Sequence, residues 1–143
     1  MKMSPCFIIF ILAIAALRTA TGCALHIDCV SQNSLCFDGY CLEAEPLGRS
    51  CKISENCKSG VSVKENAGKA CREKQCFDIK ADKLCTVHGS CDSKQVCIRN
   101  HCVPAVATTT KCAGDALCGI GQRCVGGVCY EPQQPSQSED ESC

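Results

Sequence analysis

The 143-residue sequence has no tryptophan, four phenylalanines and two tyrosines, and its 18 cysteines include no C-x-x-C, C-x-C or C-C pair. From Cys23 onward there are only 24 large apolar side chains, too few to build a conventional hydrophobic core. The missing close cysteine pairs argue against thiolate clusters and C-x-x-C redox chemistry, and the C-x4-C segments alone are a poor match to zinc sites, which usually take C-x2–4-C with a second such pair or histidine. There is no G-x-S-x-G. The only histidines are His26, His88 and His101, scattered along the chain, so no nucleophile, base and carboxylate set for hydrolysis can be assembled from motifs. His101 reads as a hairpin position beside Cys102. His26 and His88 read as equivalent solvent-exposed loop residues, each three before a cysteine. Gly119-x-Gly121 lacks the third glycine of a nucleotide loop and reads as a turn. The chain is therefore expected to be non-enzymatic, with no cofactor and no metal. Neither sign of charge dominates, with 15 basic and 15 acidic residues, so no polyanion partner such as nucleic acid is implied. No N-x-[ST] acceptor for N-glycosylation occurs.

What is abundant is cysteine, at a density that marks a disulfide scaffold. Residues 1–22 read as a secretion signal: Lys2 supplies the positive start, Phe7 to Leu17 is an unbroken apolar run, and Ala20-Thr21-Gly22 puts small residues before Cys23. The run is too short to span a membrane and Arg18 interrupts it. Cys6 is lost with the signal. The remainder is expected to be secreted into an oxidising, extracellular compartment, with no membrane span.

Sixteen cysteines form four units. Unit 1 (23–41) holds Cys23, Cys29, Cys36 and Cys41, and unit 2 (51–76) holds Cys51, Cys57, Cys71 and Cys76. Unit 3 (85–102) holds Cys85, Cys91, Cys97 and Cys102, and unit 4 (112–129) holds Cys112, Cys118, Cys124 and Cys129. The pattern is C-x5-C-x5-C-x4-C, with unit 1 one residue longer in the middle gap and unit 2 enlarged there by an inserted loop, 58–70. Such self-similarity means a linear array. The C-x4-C segments carry type I′ hairpin signals, Asp38-Gly39, Asn100 and Gly126-Gly127, flanked by β-formers. Glu73-Lys74 in unit 2 fits poorly and predicts a looser turn. The fold class is small and disulfide-rich: a tandem array of four short β-hairpin units with little helix and no conventional hydrophobic core.

Joining first to third and second to fourth cysteine in each unit closes loops worth roughly 3 kcal/mol each, more than a bridge across the hairpin would give. Four cysteines allow three pairings, and bridges between units remain open. Leu42, Phe77, Val103 and Tyr130 each follow a fourth cysteine, placed to cover a disulfide. Glu45-Pro46-Leu47-Gly48 and Val103-Pro104 read as turns in the connectors. Residues 130–143 read as a disordered acidic tail.

The segment Gly121-Gln122-Arg123-Cys124-Val125-Gly126-Gly127-Val128-Cys129, with the spacing of the preceding units and Gly48-x-x-Cys51, resembles the EB module of nematode secreted and cell-surface proteins. That resemblance implies an extracellular location and brings no biochemical activity or functional residues with it.

The expected function is a secreted extracellular binding or structural-interaction module whose partner is an unknown extracellular protein. Candidate contacts are the aromatic pair Phe37 and Tyr40, which also reads as local hairpin cover, and a basic side of unit 2 formed by Lys52, Lys58, Lys64, Lys69, Arg72 and Lys74. The alternative is a protease inhibitor presenting the 58–70 loop, with Lys64 entering a trypsin-like pocket. Cys143 has no partner within the four units, so it is either capped by a small thiol or joins two chains as a homodimer. Alkylation of the native secreted protein should label none of the sixteen unit cysteines, and any band of doubled mass on a non-reducing gel should vanish in Cys143→Ser. Labelling within the units, or a dimer that survives that substitution, would contradict the assignment.

Overall fold

The structure is a computed structural model that describes residues 22–60 and 62–135. The expected signal peptide up to residue 21, the end of the expected acidic tail and Cys143 lie outside the described residues.

Each unit begins with a short 3-10 turn, at His26–Asp28, Ser54–Cys57, His88–Ser90 and Asp115–Leu117, and ends in a hairpin. The hairpins are β1 (Ser34–Phe37) with β2 (Tyr40–Ser50), β3 (Lys69–Arg72) with β4 (Gln75–Ile79), β5 (Gln95–Ile98) with β6 (His101–Lys111), and β7 (Arg123–Val125) with β8 (Val128–Pro132). One helical turn, α1 (Val63–Asn66), sits in the inserted loop of unit 2. The result is a small disulfide-rich β fold with little helix.

All four hairpins turn through two left-handed residues, as a type I′ turn requires. These are Asp38 and Gly39, Glu73 and Lys74, Arg99 and Asn100, and Gly126 and Gly127. The Glu73-Lys74 turn is therefore not looser than the others. It takes the same geometry at a cost, because side chains larger than glycine are strained at positive φ. The tight turn sets Cys36 opposite Cys41, Cys71 opposite Cys76, Cys97 opposite Cys102 and Cys124 opposite Cys129.

These opposed cysteines do not bond each other. The bridges are Cys23–Cys36, Cys29–Cys41, Cys51–Cys71, Cys57–Cys76, Cys85–Cys97, Cys91–Cys102, Cys112–Cys124 and Cys118–Cys129. First thus joins third and second joins fourth in every unit, with no bridge between units among the described residues. Each hairpin is tied at two points to the loop that precedes it.

The units associate in pairs. The connectors expected to turn the chain after Cys41 and Cys102 instead continue as strand. β2 leaves β1 and pairs with β4 from Ala44 onward, and β6 leaves β5 and pairs with β8 from Ala105 onward. Both long strands shift register on the way, between Pro46 and Ser50 and between Ala107 and Lys111. In β2, Gly48 takes the positive φ that this irregularity needs. Two four-stranded antiparallel sheets result, ordered β1-β2-β4-β3 and β5-β6-β8-β7. The repeat that folds is accordingly a double unit. The tail also starts later than residue 130, because Tyr130–Pro132 complete β8, Pro132 is buried and the Gln133 amide donates to the Pro104 carbonyl.

Apolar packing is sparse and placed at the joints. Leu35, Ala44, Ala70 and Phe77 fill the first sheet. A second cluster joins Leu42 and Ile79 of the first repeat to Val96, Ile98, Val103 and Ala105 of the second, with Phe37, Tyr40, Ala81 and Tyr130 packed against it. Each Leu, Ile, Val or Phe side chain among them stabilises by about 1.5–3 kcal/mol when buried. The residues after the fourth cysteines therefore pack between strands and repeats, where their role is larger than disulfide cover. Replacing Glu73-Lys74 with Asn-Gly should raise the unfolding temperature, reflecting about 1 kcal/mol of relieved backbone strain. An unchanged or lower midpoint in calorimetry would show that the turn is not strained.

Candidate functional site

The loop between first and second cysteine has the same construction in every unit. The amide of the first cysteine donates to the carbonyl of the second turn residue: Cys23 to Gly39 at 3.1 Å, Cys51 to Lys74 at 2.9 Å, Cys85 to Asn100 at 2.8 Å and Cys112 to Gly127 at 3.0 Å. The amide of the third cysteine donates to a side chain three residues before the second cysteine. The acceptors are His26 Nδ1 at 3.0 Å, Ser54 Oγ at 3.1 Å, His88 Nδ1 at 3.0 Å and Asp115 Oδ1 at 2.6 Å. Asp28 and Asn56 further tighten their turns by accepting two backbone amides each.

His26 and His88 are thus half-buried acceptors rather than solvent-exposed loop residues. An imidazole nitrogen that accepts must be unprotonated, so Nδ1 carries the lone pair and Nε2 the hydrogen. Burial lowers the pKa of both from the ordinary 6.5. The nearby Arg72 lowers His26 further, while at His88 Asp115 pulls upward and Arg123 downward.

One arginine in each repeat staples the second unit onto the first. Arg72 is buried and donates to the carbonyls of Ser31 at 2.6 Å, Ser34 at 2.7 Å and Cys29 at 2.9 Å. Arg123 reaches the carbonyls of Cys91 at 3.3 Å, Asp92 at 2.8 Å and Gln95 at 3.2 Å. A guanidinium suits this task because its donors diverge in a fixed plane toward several oxygens. Arg72 is therefore removed from the expected basic side of unit 2. Lys52, Lys58, Lys64 and Lys74 are exposed and Lys69 is half-buried, interspersed with exposed Glu55, Glu65 and Glu73. Lys58 is paired with Glu55 at 2.6 Å. No continuous basic patch forms there.

Phe37 and Tyr40 are not an exposed pair. Phe37 packs edge-on to His26, with ring centres 5.4 Å apart, and lies under the Arg99 guanidinium at 5.3 Å. The Tyr40 hydroxyl accepts from Gln122 Nε2 at 3.2 Å. Both aromatics serve the contact between repeats. Lys64 is exposed, but it lies in α1, so its backbone lacks the extended form that strand-adding recognition uses. The Asn66 side chain ties α1 to both the amide and the carbonyl of Ser59. Sulfurs of three cysteines per unit lie within 4.8 Å of one another, because the two bridges stack. They are bonded sulfurs, and the thiolate is what ligates metal.

The outer faces of the clamped loops carry uncovered aliphatics. Leu25 and Ile27 in unit 1, Ile53 in unit 2, Val87 in unit 3 and Leu117 in unit 4 are each about 60% exposed, and Val30 and Ile120 just after the second cysteines more so. Sequence reasoning missed these positions, although the aliphatic directly before His26, Ser54 and His88 recurs in the sequence. Between the repeats runs an open groove lined by Leu42, Glu43, Lys80, Val103, Pro104 and Gln134.

Geometry defines the class as a tandem, disulfide-clamped β protein built from two double-hairpin repeats. The chain belongs to a family described as a domain of unknown function, DUF7107, whose model matches residues 22–78 and again 84–131, one match on each sheet. No curated protein and no solved structure matches the chain.

The lowered pKa of His26 and His88 has a direct consequence. Below pH 6.5 the unfolded chain binds protons that the folded chain refuses, so stability falls as pH drops from 6.5 through the lowered folded values. His88→Ser, which installs the unit 2 acceptor, should lose less thermal stability between pH 7.5 and pH 5 than the unaltered protein. Equal losses would show that this histidine does not hold its loop.

Proposed function

We propose that the chain is a secreted, non-catalytic extracellular module that binds another protein through the clamped loops of its four units. The observation that carries this reading is the repeated exposed aliphatic on loops held rigid by two disulfides each. An aliphatic about 60% exposed contributes little to folding, and a rigid loop loses little entropy when it docks. Eight disulfides favour an oxidising compartment, and among the described residues no helix is long and apolar enough to cross a membrane. The spacing that resembles the EB module points the same way. All three imidazoles already use Nδ1 in structural contacts, which leaves acid–base chemistry little support.

Pull-down from extracellular fluid with purified protein should recover a partner that the combined variant Leu25→Ser, Ile53→Ser, Val87→Ser, Leu117→Ser does not retain. Surface substitutions of this kind change stability by about 0.5 kcal/mol or less each, so the variant should keep its disulfides and melting behaviour. Retention of the same partner by the variant would place binding elsewhere. The competing inhibitor reading keeps Lys64, whose exposed position next to Val63 is its support. Inhibition of a trypsin-like protease that is lost in Lys64→Ala would favour it; cleavage within residues 58–70 with full protease activity would end it.

A further inference from the structure

His101 opens β6 of the second repeat, yet its ring lies in the first. It is about 5% exposed, and it rests so closely on Gly68 that a Cβ there would stand 2.6 Å from Cε1 and 2.8 Å from Nδ1. Nδ1 is 2.7 Å from the Arg99 carbonyl oxygen. A carbonyl only accepts, so Nδ1 must carry a hydrogen. The other nitrogen, Nε2, faces Asp78 Oδ1 of β4 at 3.6 Å. Oδ1 is buried and has no hydrogen-bond donor.

With the ring neutral and Nδ1 protonated, Nε2 turns a lone pair toward a carboxylate lone pair. Two acceptors then face each other in a site closed by the backbone at Gly68, and an unsatisfied buried acceptor is costly. One additional proton removes the conflict, on either Nε2 or Oδ1, and leaves the pair neutral overall. We propose that His101 and Asp78 form a proton-operated latch between the two repeats, closed when the pair binds one extra proton and loosened when that proton leaves. The latch is a property of the joint, independent of what the loops bind.

The charged groups around it favour uptake. Glu45 of β2, Glu65 of α1 and Asp82 of the linker face the same recess, against Lys69 of β3 and Lys83 of the linker. From the second repeat the recess receives Leu84 and His101. Burial raises the Asp78 carboxyl pKa above its ordinary 3.8 and Glu45 adds to that, while His101, Lys69 and the Ile79 amide oppose it. A group that holds its proton more tightly when folded stabilises at low pH, and that stability is lost as pH rises through the folded value. The latch thus acts opposite to His26 and His88, which lose stability on acidification.

Asp78→Asn tests this because the amide offers Nε2 a permanent hydrogen in nearly the same shape. At pH 8 the variant should melt about 4–8 °C above the unaltered protein, the shift that one buried hydrogen bond produces in a domain of this size. At pH 5 the two should converge. Glu55→Gln removes the same charge from an exposed position outside the recess and should run parallel to the unaltered protein at both pH values. A constant offset between Asp78→Asn and the unaltered protein across this range, or convergence produced equally by Glu55→Gln, overturns the latch. Nitrogen-15 spectra of the unaltered protein decide independently of any variant. The latch requires His101 to carry its single hydrogen on Nδ1 once the pair has lost its extra proton; a hydrogen found on Nε2 instead rejects it.

Discussion

Everything in this molecule depends on closing loops, because folding orders some hundred residues at about 1–2 kcal/mol each in backbone entropy with few apolar side chains to offset it. The interleaved bridges, first to third and second to fourth, are the closure that a two-residue hairpin permits once its cysteines stand opposite one another. Bonding across the hairpin would leave the preceding loop free. Bonding outward fixes that loop and hairpin together, and then a few polar contacts suffice to set the details: one amide to the turn carbonyl, one amide to an acceptor side chain.

Those acceptors show how a constraint can be shared without sharing residue type. His26, Ser54, His88 and Asp115 occupy one geometric position and present one lone pair to one amide. Burial lowers the pKa of the two histidines and serine does not titrate, so units 1 and 3 respond to acid through this position and unit 2 does not. The joint between repeats adds the proposed latch of His101 and Asp78, whose carboxyl pKa burial raises. The two lowered histidines and the proposed latch thus act on stability with opposite sign.

The unit pattern, the hairpins and the scaffold class were legible in the sequence because cysteine spacing and Asp-Gly or Gly-Gly turns act over a few residues. Glu73-Lys74 was misread because tertiary closure by Cys51–Cys71 and Cys57–Cys76 overrides a weak local preference. Pro46 and Gly48 look like turn residues, but β4 recruits that segment as a strand, and the glycine serves an irregularity within it. Arg72 looked like surface charge, and nothing local announces that three carbonyls 38 to 43 residues earlier will converge on it. Phe37 and Tyr40 were misjudged for the same reason: their partners Arg99 and Gln122 come from the other repeat. The pairing of units was hidden because the cysteine period is that of one unit, whereas the strands that join units are the longer connectors after Cys41 and Cys102.

That pairing changes what an array of loops can do. Independent units on flexible connectors would search for a partner separately, and each contact would require ordering of the connector before the next could form. Here β2 joins unit 1 to unit 2, β6 joins unit 3 to unit 4, and Leu42, Ile79, Val96, Ile98 and Val103 join the pairs. The exposed aliphatics Leu25, Ile53, Val87 and Leu117 are therefore carried on joined units, so under the proposed function one loop's contact needs no ordering of a free connector before the next. Rigidity of this kind favours selectivity for one spacing, since a partner with a different spacing cannot be accommodated by stretching a linker. The Asp78–His101 contact lies at the joint that side chains, rather than strand pairing, hold together, so the proposed latch acts on the contact between repeats and leaves the strand-paired joints within each repeat untouched.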